Sequence, residues 1–223
     1  MTTSIRRLTV LLSTFLLGCA SSAIRPPADV PAAEAPASIP VRAARFSSVV
    51  AVCTCYVNII VGPTHRVEVK AHKELVDGVK VDVEDGVLTL QYYPTSVEYA
   101  REPVQFEITV PELEMVDARV VTHLSVTGVR GVDDFSVVAD GASHVALDGA
   151  VHTLHAELHG RATLDAQKLD ATDVDITIDG RGEADVQARE LLRASVYRFG
   201  KVRYHVEPAA LEVTHGRRRV KPG

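Results

Sequence analysis

From Phe46 onward the apolar residues recur with a period of two. Val49, Ala51, Cys53, Cys55, Val57, Ile59 and Val61 fall on one side of the chain, which predicts one long half-buried strand. Shorter alternating runs follow at 66–71, 79–83, 87–92 and 104–110. Asp85-Gly86 separates two of them and is a strong two-residue hairpin signal, so this first portion is expected to be partly antiparallel. Beyond Pro111 the alternation becomes a repeat. The segments 135–141, 154–160 and 174–180 align with one another, and their terminal glycines, Gly141, Gly160 and Gly180, recur at a nearly constant spacing of about 20 residues. Thr122 and Phe199 are expected at the glycine place one step before and one step after. A second alternating strand follows each glycine: Val145 with Leu147, Leu164 with Ala166, Ala184 with Val186.

Stacked coils of about 20 residues account for that period, each strand lying on the next at roughly 4.8 Å, with glycine turning the corners at positive φ. The expected fold class is therefore all-β: a β-solenoid of the right-handed parallel β-helix type, about 20 residues per coil, behind a partly antiparallel N-terminal strand region. Residues 186–196 contain the good helix formers Arg189-Glu-Leu-Leu-Arg193, but their place in the repeat predicts strand.

The N-terminal fifth of the chain follows other rules. Residues 1–19 begin with Arg6 and Arg7, continue as an apolar run from Leu8 to Leu17 and end in Gly18-Cys19; this is a secretory signal, too short to span a bilayer. Leu16-Leu-Gly-Cys19 resembles the bacterial lipobox, which implies acylation of Cys19 and, with Ala20 next, sorting to the outer membrane in a Gram-negative cell. Residues 20–45 hold five of the 11 prolines among alanine and serine and read as an extended tether. Residues 46–216 are then the folded domain, and 217–223 a basic tail.

Composition sharpens this picture in two ways. The 223 residues are 46% apolar but only 5% aromatic, with 35 valines and no tryptophan, as the narrow interior of a short coil requires. The formal charge is −5; without Arg6 and Arg7 it becomes 22 basic against 29 acidic residues, or −7, which leaves no basic footprint for nucleic acid. Arg217, Arg218, Arg219 and Lys221 concentrate +4 in the tail, expected to be a solvated end, with contact to anionic lipid or polysaccharide as the lesser alternative.

The segment 46–62, the Asp85-Gly86 hairpin, Val110-Pro-Glu-Leu113 and the Asp140-Gly-Ala-Ser143 unit together resemble the bacterial family of the putative auto-transporter adhesin head, or GIN, domain (DUF2807-type). The likeness covers residues 46 to about 216. The family's Ser-Gly-Ala-Ser units survive best at 140–143 and decay at 159–162, 179–182 and 198–201, and Cys53 stands in the glycine place of the first unit. The resemblance implies a secreted or lipid-anchored β-helical domain, supplies no catalytic residue and brings no cofactor.

Three constellations carry candidate chemistry. Cys53 and Cys55 point to the same, buried side of their strand; they are expected to be small buried hydrophobes, with a disulfide and a metal site as the open alternatives. If the glycines stack, Asp140, His159, Asp179 and Arg198 form an outer ladder beside His155, Glu157 and Asp175. His155, His159, Asp179 and Asp140 have the ligand chemistry for a divalent metal, and Glu157 with Asp179 that for glycoside cleavage. Opposite-charge pairing across neighbouring strands produces the same alternation without any function and is the expectation here. The other histidines, such as His65, His72, His144, His205 and His215, are scattered and expected to face solvent. Tyr92, Tyr93 and Tyr99 flank or occupy the non-repeating loop 94–103, a place for binding groups, although covering the end of the first sheet is the simpler role.

The leading functional expectation is a non-catalytic, lipid-anchored envelope protein, structural or adhesin-like. Its partners would be the membrane, through the lipid, and another envelope protein or a surface glycan. The alternative is a small polysaccharide-modifying or metal-binding protein using the patch of His155, Glu157, His159 and Asp179.

Overall fold

The alternating runs form strands throughout the computed structural model, which describes residues 37–41, 44–92 and 104–223, all within the unit Ala35–Gly223. In chain order these are β1 (Ala37–Val41), β2 (Ser48–Val61), β3 (Arg66–Ala71), β4 (Val79–Glu84), β5 (Val87–Tyr92), β6 (Val104–Val110) and β7 (Met115–Val129). They continue with β8 (Asp134–Ala139), β9 (His144–Gly160), β10 (Thr163–Gly180), β11 (Glu183–Arg198), β12 (Lys201–Tyr204), β13 (Ala210–His215) and β14 (Val220–Pro222). No α-helix occurs among the described residues; the stretch 189–193 is strand, because its backbone groups are taken up by parallel neighbours on both sides.

All the strands belong to one open, mostly parallel sheet, with β1 at one end of its path and β14 at the other. Antiparallel pairing is confined to the beginning of the chain: β4 with β5 across the Asp85-Gly86 turn, β3 with β6, and β1 with β3. At that turn Asp85 has φ 50° and Gly86 φ 79°, the two positive angles that a tight hairpin needs. β2 then acts as a floor. One of its edges carries β5 and β6 in tandem, and the other carries β7 along nearly its full length, Ser48 opposite Met115 through Ile60 opposite Thr127.

From β7 on, every pairing is parallel and runs in two limbs that meet at a corner. On one limb Phe135, Leu154, Val174, Leu192 and Leu211 lie opposite one another in turn, each one period further along the chain. On the other, His123, His144, Thr163, Glu183 and Lys201 do the same. Alternate residues of both limbs are buried, and the core is built largely from valine, leucine, isoleucine and alanine; Phe106 and Phe135 are its largest fully buried members.

The corner places differ from expectation at both ends of the repeat. Arg198, not Phe199, lies opposite Gly180, and Val120, not Thr122, supplies the carbonyl beneath Gly141. Unequal step length is the reason. Leu164 of β10 faces Ala184 of β11, but beyond the irregularity between Ala166 and Asp173 it is Leu192, not Ala194, that faces Val174. The register has shortened there, which moves the next corner back along the chain.

Two expected boundaries also change. Ala37–Val41, inside the expected tether 20–45, is an edge strand antiparallel to β3; Pro40 fits there because an edge strand needs no donor on its open side. Residues 217–223, expected to be a solvated tail, form a 3-10 turn at Arg217–Arg219 and then β14, with Val220 buried opposite Val202. The expected signal, with Cys19, and the expected tether up to residue 36 lie outside the described residues.

Candidate functional site

At the corner the backbone stacks directly on itself. The N–H groups of Ala142, Arg161, Arg181 and Phe199 donate to the carbonyls of Val120, Gly141, Gly160 and Gly180, at 2.6 to 2.9 Å. The lowest corner is Cys53 to Cys55, with Cys53 opposite Val120. The two cysteines form a disulfide, which corrects the expectation of free buried thiols. The reason is geometric. A straight strand separates residues two apart by about 6.6 Å or more, near the limit for a bridge, whereas the turning chain brings these Cα atoms to 5.4 Å. Both cysteines are buried.

The hydroxyls of the Ser-Gly-Ala-Ser type corner are structural. The buried Thr122 hydroxyl lies 2.7 Å from the Arg119 carbonyl and 2.9 Å from that of Cys53, tying the corner of β7 to that of β2. Ser143 donates to the Asp140 carbonyl at 2.8 Å and accepts from the Thr122 N–H at 3.3 Å.

The outer patch assembles in the expected register: Ser136, His155 and Asp175 lie opposite one another, as do Val138, Glu157 and Thr177, and His159 faces Asp179. Its charges are used locally. His159 Nε2 lies 3.9 Å from Glu157 Oε2 and His155 Nε2 3.9 Å from Asp134 Oδ1; Arg198 Nε donates to Asp179 Oδ1 at 2.9 Å. Asp140 Oδ1 accepts from the Gly141 N–H at 2.6 Å. Among the described residues, no three His, Cys, Asp or Glu side chains converge as a metal-binding group.

The aromatic loop is only partly within view. Tyr92 is buried in β5, 6% exposed and opposite Val79, so it packs in the core rather than presenting a binding face. Tyr93, Tyr99 and the loop itself lie outside the described residues.

The other limb holds columns not anticipated from the sequence. Tyr56, His123, His144 and Thr163 follow one another across four strands. The Tyr56 ring stacks on His123 with centroids 5.0 Å apart, His144 follows at 6.2 Å, and His144 Nδ1 is 2.8 Å from Thr163 Oγ1. His144 is therefore half-buried in a column rather than scattered in solvent, and His205 and His215 likewise have partners, in Asp185 at 2.8 Å and the Tyr197 ring at 4.6 Å. Further up the limb Arg203 grips Asp185 with two donors at 2.7 Å each, and Lys201 donates to Glu183 at 2.7 Å. The Arg203 hydrogen bonds hold the Asp185 carboxyl below its ordinary range, against the opposing effect of burial; those of Lys201 do the same for Glu183. The repeat period was the available signal for these columns, but it is read only once the register of each strand is known.

An open, mostly parallel sheet whose strands repeat in register, with many surface charges paired across neighbouring strands, defines a class of β-rich domain. Residues 45–208 match the family model described as "Putative auto-transporter adhesin, head GIN domain", and the chain belongs to that family. Among solved structures, it is similar to a putative adhesin from Bacteroides fragilis, with TM-score 0.64 at 17% identity, covering 84% of this chain and 94% of that one. It is also similar to a protein from Parabacteroides distasonis described as a putative lipid binding protein, with TM-score 0.50 at 13% identity, covering 85% and 97%. At these identities the likeness shows the fold alone. No curated protein matches the sequence.

Proposed function

We propose that this chain is a non-catalytic, adhesin-like binding module of the cell envelope. It is carried outside the cytoplasm on a lipid at Cys19 and a proline-rich tether, and its strands are the stacked coils of a right-handed β-solenoid. Its partner is another envelope protein or a surface glycan. Family membership supports a place at the cell surface, the repeated parallel register supports the solenoid, and the Cys53–Cys55 disulfide supports an oxidising compartment.

The observation that carries the non-catalytic reading is the pairing within the outer patch. A carbohydrate-cleaving pair needs one carboxyl free to give a proton and another free to attack or activate water. Here Asp179 is held by Arg198, and Glu157 leans on His159. Self-paired ladders of this kind present a patterned surface instead of a reaction centre.

The test is to incubate the purified full chain with envelope polysaccharide and follow two signals, co-sedimentation and release of reducing ends. The chain is expected to co-sediment without releasing reducing ends above the level of a Glu157→Gln/Asp179→Asn variant. Release that disappears in this variant would overturn the proposal in favour of the hydrolase.

A further inference from the structure

The cations of this protein fall into two groups. Along the stacked strands Arg189, Arg193, Arg198, Lys201 and Arg203 are each held by an acid: Asp170, Glu212, Asp179, Glu183 and Asp185. Among the described cations without an acidic partner, which include Arg45, Lys80, Arg130, Lys168 and Arg217, five come together: Arg161, Arg181, Arg218, Arg219 and Lys221. Arg161, Arg181 and Phe199 occupy equivalent corner places in successive coils, each donating its N–H to the corner below. The guanidinium groups of Arg181 and Arg219 lie 5.4 and 5.5 Å from the centroid of the Phe199 ring, which is 62% exposed. The unpaired charge therefore continues up one corner to the last strands of the sheet, in a chain whose net charge is −5.

At that end lies a cavity of about 320 Å³. Five of the residues lining it are cationic, Lys201, Arg203, Arg218, Arg219 and Lys221; the other two are Val202 and Pro222, and none is acidic. The cavity is part of the fold rather than an accident of a loose tail. Val220 is buried opposite Val202, and the Gly223 N–H donates to the Tyr204 carbonyl at 2.9 Å, so the basic segment is held at both ends of β14. This pairing places Lys221 directly opposite Arg203. Like charges facing each other across neighbouring strands destabilise a sheet, and an anion between them reverses the sign of that contact.

We propose that this cavity is a binding site for a phosphate or sulfate ester group, with Arg218, Arg219 and Lys221 as its principal donors. A carboxylate is satisfied by one guanidinium fork, whereas a tetrahedral oxyanion presents oxygens in several directions and suits converging cations. Phe199 fixes the Arg219 guanidinium by stacking, so part of the ordering cost is met before the ligand arrives. Arg203 and Lys201, already held by Asp185 and Glu183, form the wall rather than the principal donors. The site is separate from the outer patch and does not depend on the lipid anchor.

Calorimetry on the purified full chain at low salt tests the site, with glucose 6-phosphate, inorganic sulfate and neutral glucose as probes. The ester and sulfate are expected to bind saturably at one site, weakening as salt is added, while glucose does not bind. An Arg219→Ala/Lys221→Ala variant is expected to lose about a hundredfold in affinity, through two charge-assisted hydrogen bonds. An Arg218→Gln variant, which leaves β14 intact, is expected to lose about tenfold, and Arg189→Ala, on a paired cation, to change nothing. Sedimentation with phosphatidylcholine vesicles, with and without phosphatidic acid, separates the sources of the group. Retention on the phosphatidic acid vesicles in addition to ester binding means that the site also accepts a lipid headgroup; ester binding alone means a soluble or glycan-borne group. Absence of saturable binding to the small anions, equal affinity in the Arg218→Gln variant, or attachment to acidic vesicles without any binding of the soluble ester would each overturn the proposal.

Discussion

A β-carbon on Gly180 would stand 2.2 Å from the Gly160 carbonyl oxygen, and its φ of 143° lies outside the range that side chains adopt easily. Gly180→Ala is therefore expected to destabilise the fold by about 2 to 4 kcal/mol, read from the midpoint of urea unfolding. Val120 makes the opposite case. It holds the same corner place one period before Gly141, with φ 72°, a conformation that a β-branched residue resists. The Thr122 hydroxyl, bound to the carbonyls of Arg119 and Cys53, holds the turn in that conformation. Val120→Gly should consequently be neutral or stabilising by up to about 1 kcal/mol in the same measurement, the relief of strain being partly offset by a freer unfolded chain. At this scale the sequence is readable where a glycine marks a corner and misleading where another residue takes its place. The Cys53–Cys55 bridge was hidden for the same reason: alternation records a strand and does not record where that strand turns.

Strands with clear alternation were legible almost to the residue, as at Arg66–Ala71, Val87–Tyr92 and Val104–Val110. β1 and β14 were not, because short edge strands need no apolar face of their own, so Pro40 and the basic run of 217–221 read as tether and tail. Between elements, the pairing of β11 with β12 makes a pH prediction. The Asp185 carboxyl is held below its ordinary range chiefly by the Arg203 hydrogen bonds, and that of Glu183 by Lys201. A carboxylate whose affinity for the proton is lowered by folding adds stability that is fully present above its unfolded-state pKa, about 4, and is lost as pH falls through its folded-state value. Urea midpoints of the wild type and of Asp185→Asn should therefore differ at pH 7 and converge as the pH is lowered below 4. A difference that stays constant across that range would mean that Asp185 acts through packing rather than charge.

For the molecule as a whole, the small side chains and the parallel register have one cause. Strands repeating at so short a period pack their buried faces with valine, leucine and alanine, and the absence of tryptophan fits that core. The family and the fold were legible because they rest on this period. The surface was legible only in part: the columns of His155, Glu157 and Asp175 were placed correctly, but their ion pairs, the Tyr56 to His144 stack and the basic cavity depend on side chains that meet across registers no single strand reveals. The central claim concerns where this stack is carried and in what chemical state. Peptide mass spectrometry of the chain isolated from the membranes of its own cells tests it most directly. The account predicts a chain beginning at a lipid-modified Cys19, with Cys53 and Cys55 joined and two hydrogens lighter than their reduced forms; an unmodified N-terminus at Met1, with free thiols at both positions, would contradict it.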